Sequence, residues 1–365
     1  MKAFFQKNRS VPIWASVSII VALISAVVYA IAINSRAVAD YINGTLSVFI
    51  RRIGSYITYI FPFSVFELIL ICLVPIIIAL TVVFVKRADN RKSRIRTIFS
   101  LVALVSLLLT SYVYTLGIGY HTTPVSRRMG IEDSPDITKE QIYSTAWIVQ
   151  SQVNIISDRL GADGVTVMPY GIDELSDKIV AAYDVFLEEY PILTNFTSRA
   201  KPVHFSGVMS DLRITGIYSF FTGEANVNCG VYPDFVLPFA VAHEFAHQRG
   251  VCRENEANFV AFLVCISSDD DFIKYSGYLN LYQYLSSAAY RADKEAYSEL
   301  AHGLSDVART DLKRYNEVYE EHEDSLLGEI NDKVNDYYLK MNGTQGTVTY
   351  GYVVRLAVSY YENKK

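Results

Sequence analysis

The 365-residue chain predicts an α+β, mostly helical protein with three N-terminal transmembrane helices followed by an outward-facing domain. Three observations carry that prediction. Long apolar runs, uncharged but for Glu67 in the second, crowd the first 120 residues, the charge balance reverses after them, and an H-E-x-x-H motif stands at residues 243–247. Of the chain's 33 Lys+Arg and 38 Asp+Glu, the first 120 residues hold 12 and 3, leaving 21 and 35 for the rest. Such asymmetry marks two regions in different surroundings. The acidic region has no basic patch to neutralise phosphates, which argues against nucleic acid as a partner.

The membrane unit is read as residues 1–120, with spans at about 11–33, 61–85 and 97–120. Each run is long enough to cross a hydrocarbon core, and none shows the polar face of a buried core helix. Pro75 should kink the second span, which neighbouring groups can tolerate. Lys2, Lys7 and Arg9 precede the first span, and Lys86, Arg87, Arg91, Lys92, Arg94 and Arg96 fill the short loop after the second. The positive-inside bias keeps both segments, and hence the N-terminus, cytoplasmic. Three crossings then deliver everything after Tyr120 to the outer side. The first run is too long for a signal peptide, and residues 31–36 make a poor cleavage site, so it reads as an anchor. Residues 37–60, mixed apolar and charged with Arg51 and Arg52, suggest an amphipathic helix on the outer membrane surface.

Residues 121–137 are polar and punctuated by Pro124, Gly130 and Pro135, which reads as a linker of considerable reach. A capping box of Thr138 and Gln141 opens a helix over 138–160, ended by a Gly-rich turn. A second amphipathic helix occupies 171–189 and stops before Pro191. Alternation around 213–218 and the run 202–206 suggest strands, with His204 a structural histidine on one of them. Residues 215–228 lie just upstream of the motif, where an edge strand could pair with an extended peptide.

On a helix, His243 and His247 leave the same face one turn apart. That spacing lets two neutral imidazoles grip one Zn2+ ion, with Glu244 beside them as a base. Pro238 suits the start of this helix and Gly250 its stop. A third ligand is needed, and Glu254 and Glu256 on the following helix are both near enough in sequence. The E-x-x-A-N order of Glu254, Ala257 and Asn258 resembles the helix of glutamate-type zinc peptidases. That resemblance implies Glu254 as ligand, Asn258 as its brace, and Glu256 as the alternative third ligand. Cys252 is a weaker rival. Cys229 and Cys252 could form a disulfide, although free thiols fit equally. The acidic cluster 268–271 reads as solvated, and helices dominate to the end of the chain. Tyr275, Tyr278 and Tyr282 are candidates for an oxyanion donor by sequence proximity.

The segments H-E-F-A-H-Q-R-G (243–250), E-N-E-A-N-F (254–259), I-T-G-I-Y-S-F-F-T-G-E-A-N-V-N (214–228) and the terminal T-Y-G-Y-V-V-R-L make the chain resemble a bacterial family. This is the family called domain of unknown function 3810. The resemblance implies a multi-pass protein of the bacterial cell membrane whose residues 138–365 form a zincin-like metallopeptidase domain. The expected activity is zinc-dependent hydrolysis of extracytoplasmic peptides or proteins, with Glu244 catalytic and His243, His247 and Glu254 on the metal. Expected partners are the lipid bilayer and a polypeptide substrate, with no organic cofactor. The alternative is a non-catalytic receptor or scaffold that zinc merely staples together.

Overall fold

The computed structural model describes residues 11–86, 91–132, 136–344 and 350–364. Lys2, Lys7, Arg9 and Arg87, which carry part of the orientation argument, lie outside them, as does Pro135. The protein is mostly helical. The chain begins with α1 (Ile13–Asn34), α2 (Arg36–Ile42), a π-helical turn (Asn43–Ser47) and α3 (Val48–Tyr59). Next come α4 (Val65–Lys86) and α5 (Arg91–Thr115), which runs on into a 3-10 turn over Gly117–His121. Among these, α1, α4 and the stretch Arg91–His121 are long and apolar enough to cross a membrane.

α1 and α5 pack on each other through small side chains. Ala15, Ser18, Ser25 and Ala32 are buried on α1, as are Ala103 and Ser106 on α5. Small residues allow the close backbone approach that apolar surroundings cannot otherwise drive. α4 begins four residues later than the apolar run suggests. Ser64 accepts from the Glu67 N–H at 2.9 Å and so caps it, while Pro75 is carried inside the helix.

The segment from α2 to α3 has its polarity reversed relative to a soluble helix. Asn43, Ser47, Arg51, Ser55 and Thr58 are buried at helical spacing, whereas Leu46, Phe49, Ile53, Ile57 and Ile60 are exposed. Its polar face therefore meets protein and its apolar face is left open, the pattern a helix in a membrane interface requires. The Arg51 guanidinium is completely buried. It donates to Asn43 Oδ1 at 3.0 Å and to the Asn43 carbonyl at 3.1 Å.

The remaining elements are α6 (Val125–Arg128), α7 (Lys139–Leu160), α8 (Ile172–Glu189), β1 (Ala200–Pro202), α9 (Ser206–Asp211), β2 (Gly216–Tyr218) and β3 (Ala225–Val227). They continue with α10 (Val236–Gln248), α11 (Glu254–Ser267), α12 (Asp271–Ala292), α13 (Lys294–His302), α14 (Asp306–Glu321), α15 (Leu326–Met341) and α16 (Tyr350–Asn363). The capping box at Thr138 forms, and Gly161 closes α7 at φ +60°. The sheet is small, in the order β1-β3-β2, with β1 parallel and β2 antiparallel to β3. His204 lies beyond β1 and binds Glu67 of α4 rather than sitting in a strand. The helices expected after the acidic cluster are separate elements, with Asp293 and Ser305 capping the N-termini of α13 and α14.

The stretch 121–137 is not a free tether. Thr122, Val125 and Ser126 are buried, and Thr123 gives its N–H and hydroxyl to Asp40 at 2.8 and 2.6 Å. Its polarity reads as a linker, yet those polar groups find partners on both sides, Asp40 for the two Thr123 donors and Arg253 and Glu256 for the Thr122 carbonyl and the Val125 N–H. The two parts are stitched together elsewhere too. Glu224 accepts the N–H groups of Val65 and Phe66 at 2.9 and 2.7 Å, so an anion caps the positive end of α4. Glu67 of α4 in return accepts from the N–H groups of His204 and Phe205 at 3.1 and 2.8 Å.

Candidate metal centre

α10 is the central helix. Every one of its residues except His243 is buried, as expected of a helix apolar on all sides and wrapped by its neighbours. Tyr183 of α8 donates to the Ala242 carbonyl at 2.7 Å, and Ser276 of α12 accepts from the Phe239 N–H at 3.0 Å. The helix starts at Val236, so Pro238 lies inside its first turn, where no intrahelical N–H is missed. Its end is a Schellman turn. The Val251 N–H reaches the Ala246 carbonyl at 3.0 Å and the Gly250 N–H the His247 carbonyl at 2.9 Å, with Gly250 at φ +98°.

That turn swings the chain so that Glu254, the first residue of α11, faces both histidines. Glu254 Oε2 lies 3.2 Å from His243 Nε2, and Oε1 lies 3.5 Å from His247 Nε2. One ligand atom from each of the three residues falls within 4.8 Å of the others. Donors about 2.0–2.1 Å from a tetrahedral zinc stand roughly 3.3 Å apart, close to these two separations, each made by a different Glu254 oxygen. The Val251 carbonyl, 2.7 Å from His247 Nδ1, takes the proton on that nitrogen and leaves Nε2 for a metal. His243 Nδ1 is buried with no partner among the described residues.

Glu244 is buried beside them and lies against β2. A Cβ on Gly216 would stand 2.6 Å from Glu244 Oε1, so only glycine admits the carboxylate here. The Tyr218 backbone N–H offers it a hydrogen bond, while Oε2 has no partner among the described residues. Burial raises the Glu244 pKa, and although the two histidines pull it down, the net shift is upward. A carboxyl with one free oxygen and a raised pKa is suited to moving protons. Gly216→Ala should leave metal binding intact, because it touches no ligand, yet displace Glu244. Any activity that depends on Glu244 should fall by about 10²-fold, with metal content measured alongside; an unchanged rate would show the carboxylate has room to spare.

For the ligand pair, burial pulls the His247 pKa down, but Glu254 and Glu244 outweigh it and hold it up at about 9. Loss of hydration pushes Glu254 upward, and the two imidazoles more than reverse that, leaving it lowered. Metal-free protein thus carries a proton on His247 at neutral pH, which a metal must displace. Calorimetry in buffers of different ionisation enthalpy should show about one proton released per metal at pH 7. Affinity should rise about tenfold per pH unit and level off above pH 9. A buffer-independent enthalpy would contradict the coupling.

Glu256 is not brought to this centre. It binds Arg253 Nη1 at 2.9 Å and the Val125 N–H at 3.3 Å, while Arg253 Nη2 donates to the Tyr120 and Thr122 carbonyls at 2.8 and 2.7 Å. On a helix, positions two apart face away from each other, so one of the two glutamates had to turn outward. Asn258 is buried one turn beyond Glu254, and no hydrogen bond joins the two among the described residues. Cys252 packs against Gly119 rather than toward the histidines, and burial pushes its thiol up to about 12. All four cysteines are unpaired, Cys229 and Cys252 included. The three tyrosines of α12 serve elsewhere: Tyr275 donates to Asp311 at 2.7 Å, Tyr278 packs on Phe262, and Tyr282 meets Gln150. The acidic cluster caps and pairs, with Asp270 capping α12 and Asp271 binding Arg159 in bidentate fashion.

Several supporting residues carried no signal in the sequence. Gln248 donates to the Gly223 carbonyl at 2.7 Å, tying α10 to the β2–β3 turn. Arg249, fully buried, donates to Asn195, Phe245 and Phe196 and lies over the Tyr183 ring at 4.3 Å; burial lowers its pKa to about 10. Asn43 donates to the Gly250 carbonyl at 3.1 Å, which fastens the Schellman turn to the membrane unit.

No curated protein and no solved structure matches the chain significantly. The family described as "Protein of unknown function (DUF3810)" matches residues 41–358, a span that takes in α3 to α5, the sheet and all three residues of the His243–His247–Glu254 cluster, and the chain belongs to that family.

Proposed function

We propose that the protein is a membrane-anchored, zinc-dependent metallopeptidase that hydrolyses extracytoplasmic peptides or proteins. The observation that carries this reading is the combination of a three-donor cluster with a buried, unpaired Glu244 oxygen beside it. His243, His247 and Glu254 would hold the ion, which would supply a Lewis acid and a water of lowered pKa. Glu244 takes a proton from the attacking water and passes it to the leaving amine. β2, at the sheet edge beside Glu244, is where an extended chain would pair through its backbone. A closed four-ligand staple is less well supported, because Glu256 and Cys252, which would close it, are bonded or packed elsewhere.

By the positive-inside bias, the basic residues on the short loop after α4 favour a cytoplasmic loop and an external metal centre. Reporter fusions should then read Asn90, which lies outside the described residues, as cytoplasmic and Asp136 as external. Purified full-length protein loaded with one zinc should cut unstructured peptides, stop on chelation and recover on zinc addition. Zinc bound in a closed protein shell, with no peptide cut, would overturn the enzymatic reading.

A further inference from the structure

The β2–β3 hairpin joins the metal centre to the membrane unit. Thr215 accepts from the Asn228 N–H and Ser219 donates to the Glu224 carbonyl, so odd-numbered residues of β2 bond inward to β3. The backbone groups of Gly216 and Tyr218 therefore turn away from β3: the Tyr218 N–H meets Glu244, and those of Gly216 remain at the sheet edge. Gly216 lies against Glu244, and Gly216 and Ile217 are partly exposed.

From there β2 runs toward a turn that Gln248 of α10 fixes on one side and candidate spans and their flanking helix hold on the other. The Phe220 carbonyl accepts from Ser111 and Thr115 of α5 at 2.8 and 2.9 Å. The Phe220 ring packs on Tyr112 and the Phe221 ring on Phe66. Glu224 caps α4, and a Cβ on Gly223 would stand 2.9 Å from the Gly54 backbone of α3. Four residues separate Gly216 from Phe220, so the base lies no more than about 13 Å from the ends of the spans. The exposed apolar face of α3 marks the same level. A chain pairing antiparallel to β2, the more stable and commoner arrangement, would run away from the membrane with its N-terminal end toward it.

We propose that the site acts on the membrane-proximal segment of polypeptides anchored in the same membrane by their N-terminal end, by a lipid or by a span. This deepens the peptidase reading and rests on it. A bond about four residues beyond an anchor reaches this height, whereas a chain anchored at its C-terminal end would enter β2 backwards.

The test uses the full-length protein in nanodiscs with zinc and one unstructured peptide in four presentations. The peptide is free, tethered by its N-terminus through a short or a long spacer, or tethered by its C-terminus through a short spacer. At matched surface density, the short N-terminal tether should be cut roughly tenfold faster than the C-terminal one, with cuts within about ten residues of the anchor. In Glu244→Gln, a cysteine at Ile217 should form a disulfide, under an added thiol oxidant, with a cysteine placed in the N-tethered peptide and not with the same cysteine in the C-tethered one. Equal rates for the two ends, a faster C-terminal tether, or cut sites indifferent to spacer length would overturn this inference and leave the peptidase reading standing. No cleavage of any presentation, with zinc bound, would overturn both.

Discussion

Glu244→Gln should lower peptide hydrolysis by about 10²–10⁴-fold while zinc stoichiometry stays at one. The amide keeps the shape of the carboxylate, so it fits the space that Gly216 leaves and disturbs no ligand contact. What it removes is the proton-accepting oxygen, the one that has no partner among the described residues. His243→Ala behaves differently. It deletes a donor 3.2 Å from Glu254, so metal and activity should be lost together. Side-by-side metal analysis and rate measurement separate the two roles; a Glu244→Gln protein as active as the parent would rule out this carboxylate as the base.

Gly250→Ala should cost about 2–5 kcal/mol and weaken metal binding with it. Two effects add. At φ +98° any side chain strains the backbone by about 1–2 kcal/mol. The new methyl would also stand 2.4 Å from Arg51 Nη2 and 2.9 Å from Asn43 Nδ2, and overpacking of this kind costs about 1–3 kcal/mol. Neither neighbour can retreat cheaply, because Arg51 is buried in a net of carbonyls from α5 and the π-turn. Gly130→Ala isolates the first effect, since Gly130 has φ +71° and no atom within 4 Å of an added Cβ. Thermal denaturation in detergent should show a loss at least about twice as large at Gly250 as at Gly130. Equal losses would mean that the contact with the membrane unit contributes little.

What could be read from sequence is what depends on neighbours along the chain. The length and polarity of α1, α4 and α5, the capping box at Thr138, the i,i+4 placement of His243 and His247 and the glycine stop at Gly250 all follow from local geometry. Pairing across the chain was not legible. Glu254 and Glu256 are equivalent in composition and nearly so in position, and only the course of the Schellman turn and the outward pull of Arg253 decide which faces the histidines. Tyr275, Tyr278 and Tyr282 lay close in sequence, yet the packing of α12 sends them to other partners, while Gly216, with no side chain to announce it, makes the room for Glu244. The polar stretch after α5 reads as a linker because sequence shows which groups can hydrogen-bond but not with what. Asp40 supplies the partner for Thr123, and with the Glu224 cap on α4 and the Asn43 bond to the Gly250 carbonyl it holds the candidate metal centre against the N-terminal helices rather than at the end of a tether.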